Sequence, residues 1–157
     1  DLDKSIHQLD GAVDELRRVA HNLMPDLLIK YGLEEALKEY AIRMSNDQLD
    51  VDVQFLSYTD SLNKETQLFV YRIIQELVNN AIKHANASQI IIQFVEDSNY
   101  TITVEDDGKG FEINDLKLTQ SAGLHNIQSR VEFLKGTLNI HSELNLGTSI
   151  EFQFPKI

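Results

Sequence analysis

The segment QELVNNAIKHA, Gln75 to Ala85, sets two adjacent asparagines in a stretch whose apolar residues recur at helical spacing. Val70, Ile74, Leu77, Val78, Ala81 and Ala85 fall on one side of such a helix; Glu76, Asn79, Asn80, Lys83 and His84 fall on the other. Glu76 and Asn80, four residues apart, are neighbours there, with Lys83 one turn on. A Glu and a Lys suit a solvated face. Two asparagines in mid-helix suit it poorly, because the Asn side chain competes for the backbone. The alternative is a face that meets a divalent cation and phosphates. Asn80 offers a neutral carbonyl oxygen to a hard cation, Lys83 a point charge, and Glu76 a general base or a hold on a metal-bound water. Pattern alone leaves both readings open.

Three further segments carry possible chemistry. In VEDDGKGF, Val104 to Phe111, the run Asp106, Gly108, Gly110 reads D-x-G-x-G after a strand. An Asp at a strand end can accept from an exocyclic amine such as that of adenine, and the glycines permit positive φ and close approach of a ligand. The same residues are ordinary turn chemistry. Gly123 and Leu124 open a helix after a loop, where free N–H groups face outward for an anion or simply mark a junction. Gly147 and Thr148 read most simply as a hairpin turn entering a strand.

These residues need elements to position them. Leu2, Ile6, Leu9, Val13, Leu16 and Ala20 predict a helix from Leu2 to Asn22, ended by Pro25. A short segment, Asp26 to Tyr31, leads to Gly32, and a second helix spans about Leu33 to Ser45. The alternation of Val51, Val53 and Phe55 predicts a strand over Val51 to Ser57, and a long helix runs from about Lys64 to Ala85. Ser88 to Glu96 and Tyr100 to Glu105 form a hairpin through Asp97-Ser98-Asn99. Asp106 to Ala122 reads as a loop, Leu124 to Leu134 as a helix stopped by Gly136, and Thr137 to His141 and Thr148 to Phe154 as the last strands. The fold class is α+β: a two-layer sandwich, with a mixed sheet of about five strands and helices on one face. Residues 1–24 stand apart as a helical element.

Composition narrows the functions. The chain has 157 residues, no Cys, and a net charge of −11. Disulfide scaffolds, thiolate metal sites and cysteine nucleophiles are excluded. The acidic balance argues against nucleic acid as a partner, since no basic stripe is available for phosphates. No apolar run approaches the ~20 residues of a membrane span. The polar start, without an initiator Met, reads as a piece of a longer protein, so a membrane anchor elsewhere in the parent stays open.

Order and spacing together change the reading. The four segments resemble the ATP-binding domain of sensor histidine kinases, in the superfamily that also holds gyrase, Hsp90 and MutL. The nitrate-sensor and lipid-fluidity-sensor subgroup is most similar. ELVNNAIKHA resembles the N box, DDGKGF the G1 box, GLHNIQSRVEFLKG the G2 region and GTSIEFQFP the closing segment. RRVAHNLMPDLLIKYGLEEAL resembles the junction between the second dimerisation helix and the ATP-binding domain. The resemblance implies a Bergerat-type fold in residues 25–157, preceded by the C-terminal part of a dimerisation helix in 1–24. It implies ATP and Mg²⁺ as ligands. Asn80 would coordinate Mg²⁺ and Glu76 would assist proton removal. Lys83 and His84 would approach the phosphates, Asp106 would bind adenine with Gly108 and Gly110 flanking it, Gly123 and Leu124 would end the ATP lid, and Thr148 would lie near the adenine.

It also implies a response regulator as partner, homodimerisation through the helices, no nucleic acid, and no membrane contact by this part. The location implied is cytoplasmic, with the parent free to be anchored in an inner membrane. Two departures stand out: Ser121 replaces the first G2 glycine, and the lid between Phe111 and Gly123 is short. The phosphoacceptor histidine is expected on a helix upstream of Asp1, so the fragment would not autophosphorylate by itself. His7, His21, His125 and His141 have no motif behind them and read as structural or solvent-facing. The competing reading is a nucleotide-binding regulatory module of the anti-sigma-factor-kinase type, acting mainly through protein binding. The N-terminal amphipathic helix argues against it.

Overall fold

The computed structural model describes residues 1–23, 25–112 and 122–156. In chain order come α1 (Leu2–Leu23), α2 (Asp26–Tyr31), α3 (Leu33–Met44), β1 (Asp50–Leu56) and α4 (Lys64–Asn80). A π-helical turn (Ala81–Ala85) follows, then β2 (Gln89–Glu96), β3 (Asn99–Asp106), α5 (Ala122–Phe133), β4 (Thr137–Glu143) and β5 (Gly147–Pro155). The five strands lie in the order β1-β2-β3-β5-β4, with β1 parallel to β2 and the other neighbours antiparallel. This is the mixed sheet expected from the alternation.

One face of that sheet is covered by helices. Ile90, Ile92 and Phe94 on β2, Ile102 and Val104 on β3, and Phe152 and Phe154 on β5 are all buried, and their registers place them on the same side. They meet Leu33 and Leu37 of α3, Val70, Ile73, Ile74, Leu77 and Val78 of α4, and Ile127 and Val131 of α5 in one core. Each such side chain contributes roughly 1.5–3 kcal/mol on burial. The alternate residues Thr101, Thr103 and Glu105 face away from the helices.

Local chemistry fixes the ends of the elements. The Asn63 side chain accepts the Thr66 N–H at 2.8 Å and caps α4. Asp26 to Tyr31, expected only as a short connection, forms a helix between Pro25 and Gly32. Six residues are too few for periodicity to reveal it. Gly32 (φ 93°) ends α2 and begins α3, and a Cβ there would stand 3.3 Å from Asp60 Oδ1.

The end of the sheet opposite Asp106 is tied by a buried carboxylate. Glu96 accepts from Thr59 N–H (2.6 Å), Thr59 Oγ1 (2.8 Å) and Ser61 Oγ (2.9 Å), and pairs with Lys156 Nζ (3.0 Å). Burial opposes its charge, but these donors outweigh burial and hold the carboxyl down at about 2. Helix α1 is exposed along its first half, where Leu2, Ile6, Leu9 and Val13 form an uncovered apolar stripe. No helix among the described residues is long and apolar enough to cross a membrane.

Candidate nucleotide-binding site

The helix expected over 64–85 divides in two. Its α-helical part stops at Asn80, residues 81–85 form the π-helical turn, and Asn86 ends it in the left-handed region (φ 51°). Ala81 and Ala85 stay buried, while Lys83 and His84 are exposed. The helix must end here because another backbone crosses it. Gly108 lies against Ala85 so closely that a Cβ would collide with the Ala85 carbonyl, and Lys109 N–H donates to that carbonyl oxygen at 2.7 Å. The D-x-G-x-G loop and the asparagine-bearing helix are thus locked together.

Glu76 and Asn80 converge with Gly123. A Cβ on Gly123 would stand 2.8 Å from Glu76 Oε1 and 3.4 Å and 3.5 Å from the Asn80 amide nitrogen and oxygen. Helix α5 therefore starts hard against the Glu76 and Asn80 side chains of α4, at a residue with no side chain of its own. Leu124 is half-buried and packs against the core, which anchors the start of α5. Lys83 and His84 make no hydrogen bond or ion pair with the other expected site residues among those described, and are exposed on the π-helical turn. Ser121 and most of the expected lid lie outside the described residues.

Asp106 ends β3, opposite Thr148 on β5. Burial pushes its carboxyl above the usual aspartate range, against the N–H groups of Gly108 (2.9 Å) and Thr148 that donate to it. Its neighbour Asp107 does different work. It accepts from Ser88 Oγ (2.5 Å), Ser88 N–H (2.8 Å) and Gln89 N–H (2.9 Å), and these donors, the Ser88 hydroxyl foremost, hold its carboxyl low. Asp107 clamps the entry to β2, and Asp106 keeps accepting capacity for a ligand.

Gly110 (φ 61°) and Gly147 (φ 98°) bring two turns into contact; a Cβ on either would strike a carbonyl, that of Glu143 or of Asp106. Asn145 N–H donates to Lys109 O at 2.6 Å across the same contact. Beside them opens a cavity of about 420 Å³ whose walls include Asp106, Ser142, Gly147 and Thr148. Its remaining wall includes Glu105, His141 and Ser149, on the side of the sheet away from the helices. Ser142 was not among the expected site residues. Its hydroxyl accepts the Phe111 N–H (2.8 Å) and meets Thr148 Oγ1 (2.8 Å). Its place opposite Thr148 follows from the β4–β5 register, and the strand expected over Thr137 to His141 stopped short of it.

The arrangement provides a half-buried carboxylate for a base with an amine, and an amide and a carboxylate one helical turn apart for a cation. Among the described residues no cluster of three His, Asp or Glu could hold a metal. A cation here would take most of its shell from phosphates and water, which is how Mg²⁺ is usually bound. The donor set fits that ion.

Residues 65–157 match the family described as histidine kinase-, DNA gyrase B- and HSP90-like ATPase, so the chain belongs to that family. Over 99% of its length it is 33% identical to the sensor histidine kinase MctS of Rhizobium johnstonii, and over 93% it is 32% identical to the sensor histidine kinase ComP of Bacillus subtilis. It spans 34% of the first and 19% of the second, about a third or less of these relatives. The blue-light activated histidine kinase of Erythrobacter litoralis shares the fold, with a TM-score of 0.74 at 24% identity over 92% of this chain and 49% of that one.

Proposed function

We propose that this chain is the catalytic, ATP-binding part of a sensor histidine kinase. It binds Mg-ATP and presents the γ-phosphate to a histidine on an upstream helix outside this chain, for relay to a response regulator. The observation that carries this reading is the convergence of Glu76, Asn80 and Gly123 on a helix whose end is locked to the loop that follows Asp106, itself paired with Thr148.

The roles follow from the donors and acceptors. Asp106 accepts from the adenine amine; guanine would turn a carbonyl oxygen toward the carboxylate and leave it unpaired, which is costly in a buried place. Asn80 supplies an amide oxygen to Mg²⁺. Glu76, within a turn of Asn80, orients water or assists removal of the proton that the phosphoacceptor imidazole carries on its non-attacking nitrogen. Lys83 and His84 lie close enough in sequence to reach the phosphates from the π-helical turn. Mg²⁺, when bound, offsets phosphate charge. The work of the protein is then positioning and electrostatics.

We assign residues 25–157 to the ATP-binding domain and 1–24 to a dimerisation helix. The exposed stripe of Leu2, Ile6, Leu9 and Val13 supports pairing with a second copy. It also disfavours the regulatory-module alternative. The test is phosphorylation of the full-length protein with γ-labelled ATP. Acid-labile, base-stable label that disappears in Asn80→Ala supports the assignment. Label retained in that variant contradicts it.

A further inference from the structure

We propose that Ser142 is a positioning residue of the nucleotide site, acting on the base through the Thr148 hydroxyl. The proposal rests on the adenine-pocket reading above and deepens it.

Ser142, Thr148 and Asp106 sit side by side on the helix-covered face at the ends of β4, β5 and β3. Thr148 is buried, with 9% of its surface exposed, and its Oγ1 meets Ser142 Oγ at 2.8 Å. A hydroxyl has one proton and two lone pairs. Ser142 Oγ spends one lone pair on the Phe111 N–H at 2.8 Å. Its proton then has two acceptors within reach, Thr148 Oγ1 at 2.8 Å and the Gly147 carbonyl oxygen at 3.3 Å.

The choice decides what Thr148 shows to the cavity. With the Ser142 proton on Thr148 Oγ1, the threonine proton is free to be donated to a ring nitrogen or an ordered water. With the Ser142 proton on Gly147 O, Thr148 must donate to Ser142 and has only lone pairs left for the ligand. Both states keep the 2.8 Å contact between the two hydroxyls; a ring nitrogen, which can only accept, selects the first. Thr148 is then a donor beside Asp106, which is an acceptor, and this pairing suits adenine, with an amine next to a ring nitrogen. Ser142 also fixes the Phe111 N–H, so the exit of the G1 segment and the threonine are held by one atom.

The test is titration of Mg-ATP into the wild-type chain, Ser142→Ala, Ser142→Thr, Thr148→Val and the double variant Ser142→Ala/Thr148→Val. It is run where far-UV circular dichroism shows all five folded. We expect Ser142→Ala to weaken binding about fivefold, in line with the loss of one hydrogen bond, and Ser142→Thr to stay within twofold of wild type. The double variant should bind no more weakly than Thr148→Val alone, because the serine acts through the threonine. Binding by Ser142→Ala within twofold of wild type would overturn the proposal. So would a threonine variant as weak as the alanine one, or losses that multiply in the double variant. Failure of the wild-type chain to bind Mg-ATP would overturn the pocket reading itself, and the proposal with it.

Discussion

Gly123→Ala should weaken nucleotide binding while leaving fold stability almost unchanged. Gly123 lies in the first turn of α5, and no positive φ forbids a side chain there. Alanine is the better helix former by up to about 1 kcal/mol. The new methyl would stand 2.8 Å from Glu76 Oε1, closer than real Cβ atoms come, and at 3.4–3.5 Å from the Asn80 amide. The obstacle is the far end of a half-buried glutamate, which can swing away at small cost. Fold stability should therefore change by no more than about 1 kcal/mol, which for a chain of this size is a Tm shift of roughly 2–4 °C. Glu76 cannot swing away and keep its place beside Asn80. Displacing both groups should weaken Mg-ATP binding about tenfold, equivalent to about 1.4 kcal/mol. Thermal denaturation followed by circular dichroism gives the first quantity and calorimetric titration the second. Unchanged affinity would refute the placing of the phosphate and Mg²⁺ end of the nucleotide at Glu76 and Asn80. A Tm fall of more than about 8 °C would refute the claim that only the glutamate side chain has to yield.

Asn80→Ala should weaken Mg-ATP binding by about tenfold while changing Mg-free ADP binding much less, read by the same calorimetry. Asp106→Asn should reduce the preference for ATP over GTP, because an amide can donate to the guanine carbonyl oxygen as well as accept; competition by GTP against a fluorescent ATP analogue reports it. Burial raises the Asp106 pKa, so its accepting charge should be lost on acidification at a higher pH than for an ordinary aspartate, and ATP affinity should fall correspondingly early in a pH series. Glu96 has the opposite sign: its carboxyl is held down at about 2, so its stabilising contribution is present above the unfolded-state value near 4.5 and is lost as pH falls through about 2. Glu96→Gln, which keeps the shape but loses the charge opposite Lys156, should lower the neutral-pH Tm by several degrees and flatten the acid limb of the stability curve.

The sheet was legible in the sequence through the alternation of Val51, Val53 and Phe55 and the β-branched runs at 88–96 and 100–105; which side the helices cover, that of Ile90, Ile92 and Phe94, comes from the register and burial. The candidate site was marked in the sequence by residue types: of the asparagine pair Asn79 is exposed, while Asn80 and Glu76 meet Gly123, a glycine placed by contact rather than by dihedral angle. Features set by distant contacts were not legible. The π-helical turn at 81–85 is enforced by Gly108 and Lys109 crossing the helix end, a contact made more than twenty residues away. The division of labour in Asp106-Asp107 depends on which carboxylate meets Ser88, a contact made nineteen residues away that the run DDG does not reveal. The Glu96 cluster draws donors from 59, 61 and 156, which no local pattern joins.

The most direct measurement is calorimetric titration of the chain with Mg-ATP, with Mg-GTP as control and with Asp106→Asn alongside. The account predicts selective adenine-nucleotide binding by the wild-type chain and loss of that selectivity in the variant. Equal affinity for the two nucleotides, or selectivity that survives in Asp106→Asn, would contradict it.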